Sequence, residues 1–258
     1  MIKNCIWVLV AISWFISSCS ANADQKANQE ANQEQEQEQE IAAQVSQAID
    51  AFANSKRKDW AVTITHYENE EGDVTTRIEQ YNPIAADKWT LISVNDQAPN
   101  RKQLKQYALN KQEQKDKTKE KGNSISIDLK TFIKQGTLKL IEQNSKEAQL
   151  VFDVNMPRLG DEAIDKLAGK LIYNKEHQFI ETITVVNTDE FSPMFSATIS
   201  DFKAVFEFDK KSNAILPMHY KMQFKGSFAL FTTIDEVSTT IFSDYHHKSA
   251  LGASSGEF

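Results

Sequence analysis

Apolar positions near the start of the folded region recur with a helical period. Ile41, Val45, Ala48, Ile49 and Phe52 fall at i, i+4, i+7, i+8 and i+11, a single stripe of an amphipathic helix. Asn54-Ser55 and the basic run Lys56-Arg57-Lys58 end it, with cations placed at the negative pole of the helix. From Asp59 the period falls to two. Trp60, Val62, Ile64 and His66 alternate with Thr63 and Thr65, a strand rich in β-branched residues. The turn Glu70-Glu71-Gly72-Asp73 leads to a second strand at residues 74–81. Asn82-Pro83 closes that strand, and residues 88–94 (KWTLISV) form a third.

The period then returns to that of a helix. Asn100 is a suitable N-cap, and Gln103 stands where a capping box needs it. Leu104, Tyr107 and Ala108 give a short apolar face. Residues 111–121 (KQEQKDKTKEK) are wholly polar and read as the solvated end of that helix, closed by Gly122-Asn123. This polar run reads as an insertion within one domain. The remainder is mostly strand, expected at residues 138–142, 148–154, 167–173, 179–186, 196–208, 215–224 and 228–242. The short spacings favour an antiparallel meander, and the order of elements predicts an α+β domain with helices on one face of a sheet.

Two of these strands carry the most informative faces. Leu216, Met218, Tyr220, Met222 and Phe224 are expected on one side of their strand, with Pro217, His219, Lys221 and Gln223 on the other. Phe202, Ala204, Phe206 and Phe208 share a face of the preceding strand. Phe202, Phe206, Met218, Tyr220, Met222 and Phe224 are the candidate ligand-binding residues, since soft and non-directional Met and Phe surfaces suit acyl chains.

The N-terminus supplies an address. Lys3 precedes an almost purely apolar run at residues 5–16, too short to cross a bilayer as a helix, so residues 1–18 read as a secretory signal. Ile16-Ser17-Ser18-Cys19 resembles the bacterial lipobox, in which the cysteine becomes the diacylated mature N-terminus. Cleavage after Ala21-Asn22-Ala23 is the competing assignment. No cysteine follows Cys19, so it has no disulfide partner in the mature chain. Ser20 after the cysteine, by analogy with enterobacterial sorting, points to the periplasmic face of the outer membrane; a soluble periplasmic protein is the alternative. Residues 24–40 hold six acids, six glutamines, two asparagines and one lysine, with no apolar face to bury. A disordered tether is the expectation for residues 19–40, with a helical extension of the next segment as its rival. The folded domain is then residues 41–246, and residues 247–258 form a flexible tail.

Composition narrows the function classes. The formal charge of -7 disfavours a general nucleic-acid binder. Two cysteines cannot close a four-ligand zinc site, and eight glycines leave little for a nucleotide cradle. No G-x-S-x-G elbow and no H-E-x-x-H pair occurs. His66, His177 and His219 stand in separate strands or turns and read as surface or edge residues. The adjacent His246 and His247 point to opposite faces of a strand. No catalytic residue, metal site or cofactor is expected, and the chain is not expected to be an enzyme.

An exported N-terminus, an amphipathic helix, a three-strand start, a helical insertion and a long meander together resemble the bacterial lipoprotein-carrier fold of the LolA/LolB type. The resemblance covers roughly residues 41–245. It is carried by that architecture, by Trp89-Thr90-Leu91-Ile92-Ser93-Val94 ahead of Asn95-Asp96 and Pro99, and by Leu167-Ala168-Gly169-Lys170-Leu171-Ile172-Tyr173. It implies a curved, unclosed β-barrel covered by helices, and binding of a lipid or an acylated lipoprotein in an apolar cavity. A non-enzymatic sensor or adaptor that binds a protein partner of the envelope is the alternative.

Overall fold

The structure, a computed structural model, describes residues 13–121, 127–194, 196–229 and 232–253. The chain divides into two compact units, residues 1–43 and residues 44–258.

The first unit, from residue 13 onward, is the leading part of helix α1 (Ser13–Ala53). Residues 24–40, expected as a disordered tether, are helical here. Glu, Gln and Ala are all good helix formers, and that propensity suffices where no packing competes with it. Most of the expected signal segment, residues 1–12, lies outside the described residues.

The second unit is an open sheet of eleven strands with helices against one face. β1 (Trp60–Glu70), β2 (Asp73–Tyr81) and β3 (Trp89–Val94) form the expected antiparallel start. α2 (Arg101–Lys121) and the single turn α3 (Leu129–Phe132) follow. β4 (Lys139–Gln143), β5 (Glu147–Asp153), β6 (Leu167–Asn174) and β7 (Phe179–Asn187) are the first hairpins of the meander. Short β8 (Phe191–Met194) pairs only with β9 (Ala197–Lys211). Long β10 (Ala214–Phe228) and β11 (Thr232–His247) then lead to α4 (Lys248–Ala253). Residues 248–253 of the expected tail are therefore helical.

Strand order is β3-β2-β1-β11-β10-β9-β7-β6-β5-β4. The first and last strands meet in the middle, with Ile64 opposite Phe242 and His66 opposite Thr240. β3 and β4 remain as edges, so the sheet is open and not closed into a barrel, as expected.

The face carrying Phe206 and Phe208, here the inner face, holds the core. Val45, Ala48, Ile49 and Phe52 of α1 are buried as the helical stripe requires, and the Phe52 ring meets Phe208 edge-on at 5.0 Å. α3 was not foreseen. Asp128 caps it, accepting from the Lys130 amide, and it sets Phe132 against Phe152 and Phe206. Each fully buried Phe or Leu in this core contributes about 2 kcal/mol from apolar burial.

Two irregularities in the β9–β10 pairing shape the long strands. Phe208 faces Pro217 while Phe206 faces Tyr220, so Met218 is the extra residue of a bulge. The strict alternation expected through residues 216–224 therefore breaks, and Pro217 takes the face assigned to Met218. The second shift lies between Lys225 and Gly226, where a Cβ on Gly226 would strike the Thr198 carbonyl oxygen. Only glycine permits that backbone approach.

Candidate ligand-binding face

Because opposed residues of antiparallel neighbours share a face, the register defines transverse rows across the inner side. One row runs Val94, Arg77, His66, Thr240, Tyr220, Phe206, Ile183, Leu171, Leu150 and Leu140. The next contains Thr75, Glu68, Ser238, Met222, Ala204, Val185, Gly169 and Phe152. Along these two rows the inner face is apolar from β4 to β9 and polar from β11 to β2, while Val62, Ile64 and Phe242 form an apolar cluster beside them. β10 lies at the border.

Five of the six candidate residues occupy one continuous tract there. Phe202 and Phe206 are 0% and 6% exposed and belong to the sealed core, Phe202 against Phe191 and Phe206 against Phe132. Tyr220, Met222 and Phe224 stay half-buried in front of them. The Phe224 ring lies 5.0 Å from Phe202, and the Tyr220 ring 5.2 Å from Phe206 and 5.1 Å from Phe242. Met218, at the bulge, stands outside this alternation. The separate assignment of Cys19 as the acylation point falls where no side chain is described.

The polar end of the face was missed by sequence reasoning. Glu79 of β2 is 4% exposed, the buried charged residue among those described. Its Oε1 accepts from His66 Nε2 at 2.9 Å, and its Oε2 accepts from the Tyr107 hydroxyl at 2.7 Å and from Lys111 Nζ at 2.8 Å. With Glu79 ionised, His66 Nε2 carries the proton and Nδ1 faces the Thr240 hydroxyl at 3.2 Å. Lys111 also lies 3.7 Å above the Trp89 ring, a cation–π contact.

Helix α2 is therefore docked through residues of its second and third turns. The Asn100–Gln103 capping box forms as expected, with both reciprocal bonds present at 2.8 and 3.0 Å. Leu104 and Ala108, expected on the docked face, are exposed, and Lys111 from the supposedly solvated run is half-buried instead. The Gly122-Asn123 stop lies outside the described residues. His66, expected at a surface or edge, is a partner of the buried carboxylate.

The electrostatics follow from this packing. Burial alone would raise the Glu79 pKa, but the bond from His66 and the charge of Lys111 overcome it and hold the carboxyl at about 2. Burial lowers the Lys111 pKa, and Glu79 offsets that in part while Arg77 adds to it. Burial and the bond to Glu79 raise the Tyr107 pKa well beyond the ordinary phenol range. Beside Tyr220 and Tyr245, Arg57 donates to the Phe52 carbonyl at 2.7 Å and lies over the Phe52 ring at 4.2 Å. Tyr245 donates its hydroxyl to the Pro217 carbonyl at 2.5 Å. Burial raises the pKa of both Tyr220 and Tyr245, so both phenols stay protonated donors.

Among the described residues, two buried side-chain polar atoms have no hydrogen-bond partner: Arg77 Nε and the Tyr220 hydroxyl. Both lie in the same transverse row. A separate depression of about 530 Å3, lined by Asn69, Glu71, Gly72, Thr233, Asp235 and Val237, opens elsewhere, and Asp235 and Val237 belong to the opposite face of β11. Among the described residues no three His, Cys, Asp or Glu side chains come together as a metal site, and no helix is long and apolar enough to cross a membrane.

No family model matches the chain, and no curated protein matches it. Among solved structures, a DUF1329 family protein from Desulfovibrio piger is similar over 83% of this chain and 97% of its own, with 8% identity and a TM-score of 0.30.

Proposed function

We propose that the protein is an exported envelope lipoprotein that binds a lipid or acyl chain, without catalysis, on the inner face of its open sheet. The observation that carries this is the half-buried tract Tyr220, Met222 and Phe224. α1 and α3 reach Phe208 and Phe206 on one side of it, and α2 reaches Glu79 and Trp89 on the other. The tract between them keeps an apolar surface that a ligand can cover. An acyl chain hiding about 300 Å2 gains on the order of 7 kcal/mol at about 25 cal/mol per Å2. That corresponds to micromolar affinity at best before association costs are met, which suits a carrier that must release its cargo.

The direct test is titration of a fluorescent fatty-acid probe into the purified protein, with native mass spectrometry for co-purified lipid. Saturable micromolar binding is expected. A folded protein that shows neither probe binding nor lipid, yet crosslinks to one envelope protein, would favour the adaptor role instead.

The envelope address has its own test. Cys19→Ser is expected to move the protein from the membrane to the soluble fraction, because two or three acyl chains are what anchor a lipoprotein stably. Unchanged fractionation of that variant, or a wild-type mature N-terminus at Asp24, rules out acylation at Cys19.

A further inference from the structure

Two hairpin tips at one end of the sheet carry exposed apolar side chains. Ala197 of β9 pairs with Met194 of β8 on one side and with Phe228 of β10 on the other. Met194 is 63% exposed and Phe228 45%, although both side chains are large and apolar. The Ala229 amide donates to the Ser196 carbonyl at 2.7 Å, which ties the two tips together.

Charge is absent around them. Neither residues 191–200 nor residues 226–234 contain Asp, Glu, Lys or Arg, in a chain where those make up 25%. The charged residues resume at one level. Asp201, Lys225 and Asp235 stand opposite one another on β9, β10 and β11. Glu71 joins that level through its amide, which donates to the Asp235 carbonyl at 3.3 Å. On the β8 side, the Glu162 carboxylate accepts from the Ser192 amide at 3.3 Å. The result is a mainly acidic belt with an uncharged apolar tip beyond it. Phe228 lies beyond Lys225 by about 10 Å, the length of three residues of antiparallel strand.

We propose that this tip enters the interfacial layer of a lipid bilayer, with Met194 and Phe228 among the upper acyl methylenes and the belt in water. Apolar groups of peripheral proteins sit about 5–10 Å into the boundary between headgroups and acyl chains, a depth that the uncharged zone provides. A charged side chain at that depth would cost more to desolvate than an apolar one gains. A protein partner fits less well, since a stable interface buries roughly 1,000 Å2 or more and two protruding side chains offer far less. A bilayer needs no matching shape. Because the belt holds more acid than base, the tip suits a zwitterionic surface rather than an anionic one. This contact is separate from chain binding on the inner face and from acylation at Cys19.

The test places a tryptophan at each tip. Full-length Phe228→Trp and Met194→Trp are mixed with phosphatidylcholine vesicles, with and without bromine on the upper acyl carbons. The wild type sets the background from its own tryptophans, and circular dichroism checks that the exposed substitutions leave the fold unchanged. Each added tryptophan is expected to shift its emission to the blue and to lose intensity to brominated lipid. Phe228→Ser should lower the insertion read at Met194→Trp by about tenfold, the low end for withdrawing one aromatic side chain from burial. In Met222→Glu the quenching should persist, because the tip does not use the inner tract. Loss of quenching there would mean that the tryptophan senses lipid on the inner face, and the proposal fails. It fails equally if either position is unquenched, or if quenching requires anionic phosphatidylglycerol. A blue shift that grows with protein concentration in the absence of vesicles would assign the tip to a second copy instead. Quenched tips in a protein that fails the fatty-acid titration would keep the bilayer contact and remove only the acyl-chain reading.

Discussion

Glu79→Ala is expected to lower the stability of the protein by about 3 kcal/mol, the low end for removing one partner of a buried ion pair. The carboxylate is the common acceptor for His66, Tyr107 and Lys111, which come from β1 and from α2. Without it the half-buried Lys111 ammonium keeps its contacts with the Trp89 and Tyr107 rings but no counter-charge, and the Tyr107 hydroxyl loses the acceptor it has here. Because both α2 contacts end on one carboxylate, the helix should loosen as a unit. Chemical denaturation should show a lower midpoint, and hydrogen exchange should show faster opening across residues 103–111. An unchanged midpoint with α2 still protected would mean that the helix is held by something other than Glu79.

The same carboxylate sets a pH dependence whose sign is fixed by its depressed pKa, about 2 against 4.5 for an ordinary glutamate. A carboxyl depressed by folding contributes fully above pH 4.5 and loses its contribution as pH falls through 2. The difference corresponds to roughly 3 kcal/mol at neutral pH. Wild type and Glu79→Ala should therefore converge in stability as pH approaches 2. Parallel curves down to that pH would show that the carboxylate is not ionised in the folded protein.

The strands were readable because alternation and turn residues mark them directly; the expected third strand, 88–94, and the observed Trp89–Val94 differ by one residue. Three features were not readable, each for a physical reason. α3 is a four-residue turn, too short to show a period, although Asp128 before Leu129 and Phe132 was a usable cap signal. The pairing of β1 with β11 joins residues far apart in sequence, and nothing local encodes it. The bulge at Met218 was signalled only by Pro217, since proline inside a strand pattern marks such a break.

The polar end of the site was hidden for a different reason. In residues 74–81 the apolar Ile78 invites the assumption that its face looks inward. The register instead turns Arg77, Glu79 and Tyr81 to the inner side, beside His66, Ile64 and Val62. Lys111 was discounted because its neighbours are polar. A helix rich in lysine and glutamine can still dock through one lysine when a buried carboxylate awaits it, and that carboxylate lies 32 residues earlier in the chain. Such a cluster becomes visible only once strand and helix are assembled.

Met222→Glu should abolish acyl-chain binding and leave the fold in place. Met222 sits between Ala204 on β9 and Ser238 on β11, two small neighbours that leave its side chain half-buried. A glutamate there can turn its carboxylate to water in the free protein, so the change should cost little stability. A bound chain would have to cover that carboxylate or lift away from it. Losing the burial of three methylenes costs about 2.4 kcal/mol, close to a fiftyfold loss of affinity, before the charge is desolvated. Met222→Leu keeps the apolar surface and should bind within a few-fold of the wild type. Probe titration gives the affinities, and circular dichroism with thermal melting reports the fold. Full affinity in a folded Met222→Glu protein would place the chain elsewhere. An unfolded variant would mean that Met222 belongs to a sealed core, where the neighbouring Phe202 and Phe206 already lie.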